Sequence, residues 1–181
     1  MNRPEALALV QSMVTNRNLL KHMLATEACL RGLARRLGSD EEEWGLAGLL
    51  HDVDYDQTKD ETARHGILGA ELLRERGVGA GIIHAVLAHV GNVPVESLLD
   101  KALYASDPIT GLIVAAALMH PTRKLANVDT EFILRRFKEK KFAAGANREQ
   151  IQTCSTIGLS LEEFTSICLT AMQGIAPDLG L

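Results

Sequence analysis

Apolar side chains recur along most of the chain at the three- and four-residue spacing of one face of an α-helix. The clearest run consists of Leu19, Leu20, Met23, Leu24, Leu30, Leu33 and Leu37. Gly38 follows this run as a typical helix stop, and Ser39 or Asp40 can cap a second helix whose first turn is acidic. The pattern therefore predicts two consecutive helices, the second of which reaches His51 and Asp52.

Further helices are predicted downstream, separated by turn residues. Residues 53–60 are polar and predict a loop, residues 62–76 and 80–90 predict helices, and Pro94 opens the next segment. Because the residue before a proline avoids the helical region, we expect a helix start or a kink at Asp107. Beyond Pro121, the predicted helix caps are Asp129, Asn147 and Ser160. No segment alternates as a strand does, so the sequence predicts an all-α fold of roughly eight or nine helices.

Length, composition and charge narrow the class of protein. The 181 residues, 46% of them hydrophobic, suit one domain, or one domain with a helical appendage. We expect a core over residues 1–124 and C-terminal helices over residues 125–181 that pack on it. The formal net charge of −4 argues against a protein that coats a nucleic-acid polymer. Metal ions could still attract a small phosphorylated ligand.

The cysteines and the hydropathy pattern predict the compartment. Cys29, Cys154 and Cys168 are widely spaced and form no CxxC motif, which is typical of a reducing environment. Residues 1–7 lack the apolar region of a signal peptide. The longest apolar run, residues 112–119, is shorter than the roughly 20 residues that a membrane span needs. We therefore expect a cytoplasmic protein without a membrane partner.

Side chains that bind metals through nitrogen or oxygen are spread along the chain at His22, His51, Asp52, His65, His89 and Asp107. Burying a carboxylate costs on the order of several kcal/mol unless it is paired or binds a cation. A set without thiolates suits Mn, Fe, Co, Ni, Zn or Mg and differs from a structural zinc finger. At a helix end, His51 and Asp52 can reach one ion, or Asp52 can bridge two. A buried hydrogen-bonded cluster that only stabilises the fold is the alternative.

The order of these residues resembles the HD-domain superfamily of metal-dependent phosphohydrolases, over about residues 18–120. The matching contexts are Ala-Gly-Leu-Leu-His-Asp around the doublet, His-Gly-Ile-Leu-Gly from His65, Val-Leu-Ala-His-Val around His89 and Ser-Asp-Pro-Ile-Thr-Gly around Asp107. The resemblance implies a single HD-type helical domain, residues 1–124, with additional C-terminal helices.

The resemblance also implies roles for the residues. One divalent metal is held by His22, His51, Asp52 and Asp107. Asp52 is then a catalytic residue that bridges to a second metal at His65 and His89, so each chain carries one or two metals. A water molecule activated by the metals attacks phosphorus, which implies a phosphomonoesterase, or a phosphodiesterase or pyrophosphohydrolase.

Two basic residues are candidates for binding the substrate phosphate. Arg64 abuts His65, and its guanidinium can bind a phosphate through two hydrogen bonds, so we expect it to take part in catalysis as well. Lys59 lies in the loop after Asp52. We interpret Asp54 and Asp56 in the same loop as a solvated acidic segment, with the ordering of water molecules near the metals as the alternative.

Departures from known branches of the superfamily narrow the substrate. Val90 follows His89, which argues against the cyclic-di-nucleotide phosphodiesterases with two consecutive histidines. The Pro-Ile-Thr-Gly after Asp107 differs from the bacterial diadenosine tetraphosphate hydrolases. We expect a small phosphorylated substrate, a nucleotide or a dinucleotide, and no nucleic-acid polymer. The alternative is a signalling module that binds a metal or a nucleotide with little or no turnover. The apolar C-terminal helices would also allow a homodimer.

Overall fold

Helices account for 71% of the chain and strands for none of it, which confirms the all-α prediction. The structure is a computed structural model that describes residues 1–181. Its helices are α1 (Arg3–Met13), α2 (Arg17–Leu37), α3 (Glu41–Leu50), α4 (Tyr55–Thr58), α5 (Ile67–Glu75), α6 (Ala80–Ala88), α7 (Leu98–Met119), α8 (Thr130–Phe137), α9 (Arg148–Gln152), α10 (Leu161–Gly174) and α11 (Ala176–Leu179). Short 3₁₀ turns lie at Thr62–Arg64, Leu125–Asn127 and Thr153–Ile157.

Helix ends follow the capping signals of the sequence. Gly38 ends α2 with a φ of 69°, in the left-handed region that glycine adopts without strain. Asp40, not Ser39, caps α3, because its Oδ1 accepts a hydrogen bond from the backbone of Glu43 at 2.9 Å. Asp129, Asn147 and Ser160 cap α8, α9 and α10 in the same way.

The predicted helix over residues 62–76 is wrong in its first third, residues 62–66. The chain forms a 3₁₀ turn, becomes extended at His65 and reverses at Gly66, where φ is 77°. A Cβ at Gly66 would lie 2.8 Å from the side chain of Val90, so glycine is needed for the close approach as well. The loop predicted over residues 53–60 likewise contains α4.

The helix start predicted at Asp107 is also wrong, since α7 continues through Pro108. A proline inside a helix has no N–H for the carbonyl four residues earlier, here that of Tyr104. The side-chain amide of Gln150 on α9 donates to this carbonyl at 2.8 Å instead. A contact from the C-terminal third of the chain therefore satisfies the carbonyl that Pro108 leaves free.

The core is one cluster of 48 buried apolar residues that extends from Ala6 to Leu179. Helix α2 lies against α3, α7 and α10. Phe164, Cys168 and Met172 of α10 belong to the cluster. Residues on both sides of the predicted boundary at 124 thus share one core.

By length and composition, α7 could cross a membrane, with a mean hydropathy of 1.5 over 18 residues. This helix is longer than the apolar run at residues 112–119 that the sequence singled out. However, 56% of that window is buried inside the domain, and a core helix passes the same test. The helix is weak evidence for a membrane span.

Candidate metal centre

Five segments of the chain bring the six predicted ligands together. His22 lies within α2, and Asp107 lies within α7. His51 and Asp52 directly follow α3, and His89 directly follows α6. The fifth segment is the extended stretch before α5, which carries His65.

Asp52 lies at the centre of this cluster and divides it in two. Its Oδ2 is 3.3 Å from Nε2 of His51 and 3.6 Å from Nε2 of His22. Its Oδ1 is 3.2 Å from Nε2 of His65 and 3.4 Å from Nε2 of His89. Each carboxylate oxygen therefore faces its own pair of imidazoles, as a carboxylate that bridges two cations does.

Asp107 completes the first of the two groups. Its Oδ1 is 3.2 Å from Nε2 of His22, and that nitrogen is 3.1 Å from Nε2 of His51. Ligand atoms of His22, His51 and Asp107 all lie within 4.8 Å of one another, and so do those of His51, Asp52 and His89. Either set is compact enough to hold one metal ion.

Hydrogen bonds on the far side of each ring fix the four imidazoles. Nδ1 of His51 contacts the carbonyl of Gly48 at 2.8 Å, and Nδ1 of His89 contacts the carbonyl of Val86. Because a carbonyl only accepts, Nδ1 carries the proton in both rings, and a neutral ring presents the lone pair of Nε2 to the cluster. We assign these tautomers from the hydrogen-bond partners.

The other two rings are held by side chains. Nδ1 of His22 is 2.9 Å from the hydroxyl of Thr110, which itself donates to the carbonyl of Asp107 at 2.9 Å. Nδ1 of His65 is 2.8 Å from Oδ1 of Asp54. Both contacts place the ring proton on Nδ1 and direct Nε2 inward.

This arrangement fits divalent metal ions. In neutral rings, the lone pairs of His22 and His51 would face each other across 3.1 Å. Nε2 of His89 is buried and makes no hydrogen bond, although an oxygen of Asp52 is 3.4 Å away. Buried acceptors without donors are costly, and a cation among them removes that cost. The nitrogen and oxygen donor set suits first-row transition metals.

Without metal, the cluster attracts protons instead. Burial opposes protonation of His51, but the carboxylates of Asp52 and Asp107 outweigh burial and raise its pKa to about 9. Burial is likewise outweighed at His65, where Asp52 and Asp54 raise the pKa to about 9. Burial raises the pKa of Asp52, but the surrounding imidazoles prevail and hold it well below its usual value. The centre is thus built to hold positive charge.

The interpretation of Asp54 as part of a solvated acidic segment is wrong. It is buried rather than solvated, and its Oδ2 accepts hydrogen bonds from the backbone N–H groups of Gly66 and Gly69 at 2.9 and 2.8 Å. Its other oxygen orients His65. The two glycines after His65 were the available signal, because each allows the backbone to come close to a partner.

Arg64 and Lys59 are not brought to the cluster. Arg64 is exposed, and its guanidinium lies 3.5 Å from the carboxylate of Glu61. Lys59 is also exposed. Because the backbone is extended at His65, the side chain of Arg64 points to a different side from the imidazole of His65, which faces the cluster. The predicted roles of both residues in substrate binding, and of Arg64 in catalysis, remain predictions.

A cavity of about 370 Å³ lies beside His22 and Asp107. One of its walls is residues 143–146. Arg148 holds this wall, because its guanidinium donates to the carbonyls of Ala143 and Ala146 at 2.6 and 2.7 Å, and to that of Phe142. The C-terminal third of the chain therefore forms part of the surroundings of the cluster.

Comparison with known proteins agrees with this geometry. The HD-domain family matches residues 19–118. Ribonuclease Y of Oleidesulfovibrio alaskensis is 34% identical over 96 residues, which are 53% of this chain and 18% of that protein. Ribonuclease Y of Sulfurovum sp. is 30% identical over 135 residues, 73% of this chain and 26% of that protein. The chain thus spans about a fifth to a quarter of these relatives, and no solved structure matches it. On the matched residues and the His-Asp cluster they contain, the chain belongs to the HD-domain family.

Proposed function

We propose that this protein is a metal-dependent phosphohydrolase that acts on a small nucleotide. The observation that carries the proposal is the carboxylate of Asp52, each oxygen of which faces a separate pair of imidazoles. Divalent cations in such a centre acidify water and neutralise charge on phosphoryl oxygens. Both promote the hydrolysis of a phosphate ester.

The chain's own residues prepare the centre. Hydrogen bonds from Nδ1 to Gly48, Val86, Thr110 and Asp54 fix the imidazoles before any ion binds. Less reorganisation is then needed on binding, since the ligand atoms already converge. The cavity beside Asp107 gives a phosphorylated compound access to this side of the cluster.

The charge of the chain and the lining of the cavity support a small substrate. The net charge is −4, whereas binding a nucleic-acid backbone requires many neutralised phosphates. The wall at residues 143–146 contributes only alanine and glycine, and therefore no positive charge that could bind such a backbone. The second candidate is a phosphodiesterase that acts on RNA, because the relatives are named ribonuclease Y.

Metal content and turnover test the proposal together. Protein without a histidine tag, supplied with Mn, Fe, Co, Ni or Zn, should hold about two ions per chain by inductively coupled plasma mass spectrometry. It should hydrolyse nucleoside monophosphates or dinucleotides in preference to an RNA oligomer. His65→Ala and His89→Ala should each remove one ion and lower the rate by roughly 10- to 100-fold or more.

His120→Ala is the matched control, because this histidine contacts Thr122 outside the cluster. It should retain both ions and full activity. Preferred cleavage of the RNA oligomer would favour the second candidate. Absence of bound metal and of turnover would overturn the proposal in favour of a signalling module.

A further inference from the structure

We propose that a second cavity, between α2, α7 and residues 179–181, binds the nucleoside part of the substrate. Only the position of the phosphate, at the His-Asp cluster, rests on the proposed function. The second cavity has a volume of about 430 Å³, within the range of roughly 300–1,000 Å³ that is typical of small-molecule pockets. It is lined by Asn18, Lys21, Gly111, Val114, Leu118 and Leu179, among others. We call it the nucleoside cavity.

The nucleoside cavity adjoins the metal centre. Its lining includes His22 and Gly111, and the same two residues line the cavity beside Asp107. A compound that lies across Gly111 therefore touches both cavities. One of its ends is then next to His22 and Asp107, where the phosphate would be cleaved.

The walls suit a group with apolar faces and polar edges. Val114, Leu118 and Leu179 supply aliphatic surface, and Leu118 is 52% exposed although it is large and apolar. The side-chain amide of Asn18 can both donate and accept hydrogen bonds, and it makes none to another residue. Lys21 adds one positive charge. A nucleobase has this combination of an apolar ring face and donors and acceptors at its edge.

The same lining argues against a long polymer. Among the residues of both cavities, Lys21 is the one permanently charged cation. A polynucleotide needs a track of positive charge or stacking aromatic side chains, and the two linings contain no arginine, tryptophan, tyrosine or phenylalanine. One nucleoside beside one phosphate group is the ligand that these walls fit.

Gly111 is the residue that keeps the two cavities joined. It lies inside α7, where glycine is less favourable than alanine. A Cβ at this position would meet no atom within 4 Å, so packing does not require glycine here. The open space over Gly111 is instead part of the connection between the cavities, which a larger side chain would obstruct.

Calorimetric titration with adenosine, guanosine, cytidine and uridine tests the cavity without requiring metal or turnover. At least one nucleoside should bind the wild-type protein. Gly111→Leu should weaken this binding by roughly tenfold or more, since it fills the connection. Asn18→Ala should reduce the preference among the four nucleosides, because it removes the group that contacts the edge of the base.

Gly174→Leu is the control, because Gly174 is exposed at the end of α10 and also has no neighbour within 4 Å of a Cβ. It should bind the nucleosides as the wild type does. Circular dichroism and metal content should match the wild type for both leucine variants, which excludes misfolding as the cause of a weaker titration.

The outcomes separate this inference from the proposed function. If no nucleoside binds at millimolar concentration, or Gly111→Leu binds as tightly as wild type, the nucleoside cavity is wrong even if the loaded protein hydrolyses phosphate esters. If a nucleoside binds in a Gly111-dependent manner but no turnover is found, the cavity is supported and the hydrolase is not.

Discussion

At the scale of single residues, the metal centre depends on which nitrogen of each imidazole carries the proton. Asp54 sets this for His65, because its carboxylate can only accept and therefore keeps the proton on Nδ1. Its second oxygen is already used by the backbone of Gly66 and Gly69. Asp54 would thus act on a bound ion through His65, as a positioning residue.

Asp54→Asn should lower the affinity for one of the two ions by roughly 10- to 100-fold. An asparagine whose oxygen keeps the two backbone bonds turns its NH₂ group toward Nδ1 of His65. The proton then moves to Nε2, which can no longer bind a metal. Competition with a fluorescent chelator measures the affinity, and circular dichroism measures the fold.

Asp56→Asn is the matched control, two residues further along the chain. The carboxylate of Asp56 accepts from the backbone of Thr15 and Asn16 and touches no imidazole. Metal affinity should be unchanged in this variant. Equal losses in the two variants would show that the effect of Asp54→Asn comes from general damage to the loop.

At the scale of elements, the distance between α2 and α3 decides whether His22 can meet His51. The two helices pack tightly at Gly48, where an added Cβ would lie 2.7 Å from the backbone nitrogen of Glu27. The carbonyl of Gly48 also holds the ring of His51. One small residue therefore sets both the spacing of the helices and the orientation of a ligand.

Gly48→Ala should destabilise the protein by about 1–3 kcal/mol, although alanine is the better helix former. Backbone atoms of α2 cannot rotate away as a side chain would, so the helices must separate. Metal affinity should fall as well, because His51 moves with α3. Chemical denaturation measures the free energy of unfolding, and calorimetry measures the binding of metal.

Gly174→Ala controls for the effect of alanine itself, because its Cβ would meet no atom within 4 Å. It should leave both the stability and the metal affinity close to those of wild type. A Gly48→Ala variant as stable as wild type would show that α2 and α3 can accommodate a methyl group at this position without separating.

At the scale of the whole molecule, ions in the centre would connect five segments that are distant in sequence. Metal that binds only the folded chain stabilises it by mass action, by about 4 kcal/mol when the free ion exceeds its dissociation constant a thousandfold. The ions also compete with protons for the imidazoles, so stabilisation by metal depends on pH.

We therefore expect the increase in melting temperature on adding metal to grow between pH 6 and pH 9. His51 and His65 have a pKa of about 9 without metal, raised from 6.5. They are protonated over most of this range, and raising the pH removes the protons that compete with metal. The stabilisation that these raised pKa values give the metal-free fold is fully present below about pH 6.5 and is lost as the pH rises through 9. The metal-bound fold does not depend on these protons, so the same deprotonation widens the difference.

Thermal melts at several pH values, with and without an added chelator, measure this difference. His51→Ala should make the difference smaller and less dependent on pH. A melting temperature that chelation leaves unchanged at every pH would contradict the metal centre itself.

The sequence by itself determined the helical fold and the six candidate ligands. Helix caps such as Asp40 and Asp129 bond within three residues, and a helix stop such as Gly38 acts on its own backbone, so their effects are local. The types and order of the histidines and aspartates were likewise visible. The sequence did not show which nitrogen of each ring faces the cluster.

Only the tertiary structure decided the features that rest on contacts distant in sequence. Gln150 satisfies the carbonyl of Tyr104 that Pro108 leaves free within α7. Asp54 is a buried partner of His65, whereas Arg64, the residue before His65 in the chain, is exposed. Arg148 placed residues 143–146 beside the ligands. These outcomes depend on which segments pack together, and no local pattern encodes that packing.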